Sequence, residues 1–83
     1  MKMANDQRER IESYMTNLLH KSDRLEDKMD KAEIEGDMEK LNRLDAKNNE
    51  VVAAISSAID VLSYLGCFLR YDIDTNSYKV IER

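Results

Sequence analysis

The stretch AEIEGDMEKL, residues 32–41, decides the fold. Upstream of it, apolar residues recur at steps of three and four: Ile11, Met15, Leu18, then Ser22 as the one break, then Leu25, Met29 and Ala32. Downstream a second seam runs through Leu41, Leu44, Asn48, Val51, Ile55, Ala58, Leu62 and Leu65. Charged residues fill the positions between, so each seam marks an amphipathic helix. The two helices are either continuous through Gly36 or folded back there. Continuity costs only about 1 kcal/mol relative to alanine, and a dimer of long helices would satisfy the same heptads. The fold-back has more in its favour. Gly36 can take the left-handed conformation that ends a helix, and Asp37 can cap the next one. Folding about this pair sets Ala32 against Leu41, Leu18 against Ile55 and Ile11 against Leu62, so both seams are satisfied together. The expected fold is mainly α: an antiparallel two-helix coiled-coil hairpin, with helices over about 5–34 and 37–65, followed by a short β-hairpin over about 68–82. Asn5 or Asp6 is the expected first cap, with Glu9 early in the first turn.

Asn48 has two readings at this stage. It is a register device, as a buried Asn is in some coiled coils, or it lies at a solvated edge. The rest of the second helix is too apolar for one partner. With Ile55 and Leu62 in the seam, Val52 and Ile59 flank it on one side and Ala54 and Val61 on the other. A lone hairpin leaves Val52, Ile59 and Val61 in water, and Ala53, Ala54, Ser57 and Ala58 allow close helix approach. The expected oligomer interface is therefore Val52, Ile55, Ile59, Val61 and Leu62, with two chains forming a four-helix bundle.

The stretch YDIDTNSYKV, residues 71–80, is the only one that resembles a chemical site. Asp72, Asp74 and Asn76 alternate like the first ligands of an EF-hand. That loop also needs Gly sixth, an apolar residue eighth and Glu twelfth, where this chain has Ser77, Lys79 and Arg83. A β-hairpin fits better. With Thr75-Asn76 at the tip, Ile73 faces Tyr78, Asp72 faces Lys79, Tyr71 faces Val80 and Arg70 faces Ile81. One face then carries Leu69, Tyr71, Ile73, Tyr78 and Val80, which packs on the helices or meets a partner. Gly66 ends the second helix.

Eighty-three residues, numbered 1–83, make one domain. So short a chain buries only about 60% of its unfolded surface and needs a staple. With Cys67 the sole cysteine, no disulfide forms within the chain, and one Cys with one His builds no zinc site unless carboxylates or a second chain contribute. Oligomerisation remains. The start, MKMANDQRER, has no apolar core of a signal peptide, and a cytoplasmic location is expected. The weakly charged run Val51–Leu69 has Asp60 at its centre, where a charge costs about 2.5 kcal/mol or more in a bilayer, so no membrane association is expected.

Thirteen Lys and Arg against seventeen Asp and Glu give a net charge of −4, with both signs interspersed. That is the pattern of a solvated helical surface. His20 reads as a solvated side chain facing away from the seam, and Cys67 as a small buried filler rather than a reactive thiol. The acidic pairs Glu26-Asp27 and Asp72/Asp74 lack a pocket. No phosphate loop, nucleophile triad or zincin motif occurs, so neither catalysis nor a cofactor or metal is expected. The expected function is a non-catalytic protein–protein interaction module, a small homodimeric adaptor, regulator or inhibitor of a larger protein. The alternative is a dimeric DNA-binding or transcriptional regulator. It would use the ribbon cations Arg70, Lys79 and Arg83 with Tyr71 and Tyr78 nearby, and the basic start Lys2, Arg8 and Arg10. The acidic total weighs against that.

Overall fold

A computed structural model describes residues 3–82, so Met1, Lys2 and Arg83 lie outside the described residues. The chain forms α1 (Asn5–Glu35), α2 (Met38–Tyr64), β1 (Cys67–Asp72) and β2 (Ser77–Glu82). The two helices pack as a hairpin, and the two antiparallel strands form a ribbon on them.

The hinge is built as its residues dictate. Gly36 sits at φ 74°, ψ 17°. Its N–H donates to the Glu33 carbonyl at 3.1 Å, and the Asp37 N–H to Ala32 at 2.9 Å. This pair of reversed bonds is the Schellman termination, and it needs the left-handed residue that glycine supplies without strain. No atom lies within 4 Å of a Cβ built there, so conformation rather than space selects the glycine. One residue on, the Asp37 carboxylate accepts the Lys40 N–H at 3.1 Å and opens α2.

At the other end of α1 the cap is Ala4, not Asn5 or Asp6. Ala4 has no acceptor to offer. The helix instead starts where the Gln7 side chain folds back to accept the Ala4 N–H, at 3.4 Å.

Leu25, Ala32, Leu44 and Val51 are buried between the helices, with Leu18, Met29, Leu41 and Ile55 packed around them. Asn48 is buried in this seam, not at a solvated edge. The break in the first seam answers it: the Ser22 hydroxyl donates to Asn48 Oδ1 at 2.7 Å. A second core lies at the open end of the hairpin, where Leu62, Cys67 and Val80 are buried with Met3, Ile11 and Leu69 around them.

The ribbon differs from its expected register by two residues. Asp72 pairs with Ser77, Tyr71 with Tyr78, Arg70 with Lys79, Leu69 with Val80 and Phe68 with Ile81. The turn is Ile73 to Asn76, not Thr75-Asn76 alone. A two-residue hairpin loop requires positive φ at both positions (type I′) or at the first (type II′), and here only the second residue, Asn76, takes it, at 48°. The Asp72 carboxylate accepts the Asp74 N–H at 3.0 Å, nucleating an Asx turn that spends Asp72 at the loop instead of opposite Lys79. Because a slip of two keeps side-chain parity, the faces survive. Ile73 does not: it leaves the strand and stands 79% exposed at the tip.

Candidate functional site

The ribbon is fastened to α1 along one edge. The Tyr78 and Val80 N–H groups point away from β1 and donate to Thr16 Oγ1 at 2.9 Å and Glu12 Oε2 at 2.8 Å. One turn further along α1, His20 Nε2 meets the Asn76 carbonyl at 2.7 Å. A carbonyl only accepts, so the imidazole donates from Nε2. Asn76 is held twice more, donating to Asp23 at 3.2 Å and accepting from the Tyr71 hydroxyl at 2.6 Å. At the far end Glu82 accepts the Met3 N–H and pairs with Arg8 at 3.1 Å. Residues 12, 16 and 20 recur at one helical turn, so one stripe of α1 supplies the partners that a third strand would otherwise supply. His20 is therefore not a solvated side chain; the hairpin turn comes to it.

This docking settles the ribbon face. Val80 is buried and Leu69 packs into the second core. Tyr78 is half-buried and stacks edge-on with Tyr71, 6.1 Å between centroids. Of Leu69, Tyr71, Ile73, Tyr78 and Val80, only Tyr71 and Ile73 remain well exposed. The outer face sets Arg70 directly opposite Lys79. These cations and the two tyrosines are thus on opposite faces, and the aromatic ring that shares the face of Arg70 and Lys79 is Phe68, 41% exposed.

On α2 the five expected interface residues divide. Leu62 is buried in the second core and Ile55 packs against the first. Val52, Ile59 and Val61 stand 45%, 39% and 59% exposed. Val52 and Ile59, seven residues apart, share one flank of the helix; Val61 lies nine from Val52, on the other.

A third surface was not singled out by the sequence reading. On the side of the hairpin away from the ribbon, a groove between the helices is walled by Lys21, Arg24 and Lys28 of α1 and Lys47 of α2. Its floor is Leu18, Leu25, Val51 and Ala54, and Glu50 is the one acid in its lining. The signal was in the sequence: Lys21, Arg24 and Lys28 follow steps of three and four, one basic stripe on a helix whose total charge hides it.

Among the described residues no three His, Cys, Asp or Glu side chains group to hold a metal ion. No helix among them is long and apolar enough to cross a membrane. No known protein family, curated protein or solved structure matches this chain.

Proposed function

We propose that the chain is a non-catalytic protein–protein interaction module, a small homodimer that binds a larger protein as an adaptor, regulator or inhibitor. The observation that carries this is the exposure of Val52, Ile59 and Val61 on a helix whose seam is already filled by its own chain. The shape adds to it. A compact chain of this length has a radius of gyration of about 12 Å, whereas this one has 15.2 Å and extends 50 × 25 × 17 Å. A thin rod encloses little core, and pairing through the C-terminal half of α2 gives two hairpins a common one. Full burial contributes roughly 1.5–3 kcal/mol per large aliphatic side chain; the partial exposure here gives a fraction of that, doubled by symmetry.

Light scattering after size exclusion tests the reading with two variants. Ile59→Asp puts a carboxylate where another helix packs and is expected to halve the mass. Asp60→Asn, one residue away on the solvent side, is expected to leave it unchanged. Equal behaviour of the two variants refutes the α2 interface.

A further inference from the structure

The groove on the side away from the ribbon combines two properties that point to one kind of occupant. Its walls are cationic. Between described residues the only ion pair joins Arg8 to Glu82, so Lys21, Arg24, Lys28 and Lys47 have no carboxylate partner. The basic edge continues toward the hinge, where Lys40 and Arg43 line an adjoining hollow with Lys47. On an acidic chain this is a local reversal of sign. It arises because α1 segregates its charges: Asp23, which holds the ribbon through Asn76, begins a stripe that continues through Asp27 and Asp30 on another side.

The floor, by contrast, is apolar: Leu18, Leu25, Val51 and Ala54. It runs parallel to both helix axes for about 15 Å, the rise of the ten residues from Leu18 to Lys28. Interhelical grooves of antiparallel pairs are where a third helix seats its side-chain ridge, and alanine at the edge lets it come close.

We infer that this groove is the docking site for an acidic amphipathic helix of the partner protein. Its apolar ridge lies on the floor, and its flanking Glu or Asp side chains meet Lys21, Arg24 and Lys28 on one wall and Lys47 on the other. A phosphate backbone would use the walls and leave the floor uncovered. A second copy fits poorly, because its carboxylate stripe (Asp23, Asp27, Asp30) and its exposed apolar row (Val52, Ile59) are on different helices. The inference rests on the interaction-module reading and gives the partner its chemistry. Dimerisation is assigned to Val52, Ile55, Ile59, Val61 and Leu62, none of which lines the groove, and it is read by mass rather than by peptide binding, so the two fail separately.

The test uses the full chain and a blocked peptide of roughly 15 residues, with Leu on one face and Glu and Ala elsewhere. Its twin carries Lys in place of Glu. Backbone amide shifts are followed up to roughly 1 mM peptide. The Glu peptide is expected to shift the amides around Leu18, Lys21, Leu25, Lys47 and Val51, and the Lys twin to shift none. The triple variant Lys21→Glu, Lys28→Glu, Lys47→Glu is expected to lose the Glu peptide by tenfold or more and to gain the Lys twin, a swap that general destabilisation cannot produce. Should it not fold, as read by circular dichroism, Lys21→Gln, Lys28→Gln, Lys47→Gln takes its place, with loss of the Glu peptide expected. Absence of binding, shifts confined to other surfaces, or equal binding of the Lys twin overturns the inference. So does groove binding of poly-Glu or a short DNA duplex as tight as that of the Leu/Glu peptide, because the floor would then contribute nothing. Light scattering on the same variants reads the dimer independently.

Discussion

Ser22 donates its hydroxyl to the side-chain oxygen of Asn48, 2.7 Å away across the buried seam of the helix pair. They are the only buried polar side chains among the described residues, and each is the only non-apolar residue in its seam. The bond fixes how far one helix slides along the other, because a slip sets both groups against apolar side chains of the facing seam.

A buried group that loses its partner costs about 1–3 kcal/mol. Ser22→Ala is thus expected to lower unfolding stability by about 1–2 kcal/mol, read by urea denaturation. The double change Ser22→Ala, Asn48→Leu is expected to recover most of that loss, since no polar group is then stranded. A double variant as unstable as Ser22→Ala alone contradicts this pairing.

At the hinge, Gly36→Ala forces a Cβ into a left-handed conformation at about 1–2 kcal/mol, and Asp37→Ala removes a cap at about 1 kcal/mol. Both variants are expected to keep their helix content and unfold at lower urea. Gly36→Ala that is neutral or stabilising would point to a helix running straight through.

The clasp between α1 and the ribbon is open to hydrogen exchange. Thr16→Val removes the acceptor of the Tyr78 N–H while keeping shape. Exchange at Tyr78 is expected to quicken about fivefold or more, the equivalent of roughly 1 kcal/mol, with the Leu25 and Val51 amides unaffected. Unchanged exchange at Tyr78 would mean that the ribbon does not lie against this stripe.

Arg70 and Lys79 face each other across the strands, and like charges in that position destabilise. Lys79→Glu is expected to raise stability by about 0.5 kcal/mol. In the expected register, with Lys79 opposite Asp72, the same change would lower it, so the sign reports the pairing directly.

The helices were legible because their apolar steps persist over many turns, and the hinge because Gly36 and Asp37 have few other uses side by side. The ribbon was legible as a ribbon, from Gly66 and the β-branched and aromatic run after it. Its register was not, because Asp72 chose a local bond to Asp74 over a cross-strand partner, and local side-chain turns leave no periodicity. His20 was misread for a related reason. A helix's own pattern shows which face meets its neighbour along the seam, but not which outer stripe a later segment comes back to. The basic groove escaped because interspersed charges and a net of −4 average over faces that are individually one-signed.

Sedimentation equilibrium of the unmodified chain at micromolar concentration tests most directly whether the exposed flanks of α2 are an interface. The expected mass is that of a dimer, 2 × 9.7 kDa, with Ile59→Asp at half of it. A folded, unmodified chain that sediments at 9.7 kDa contradicts the homodimer, and leaves Val52, Ile59 and Val61 as surface that only another protein could cover.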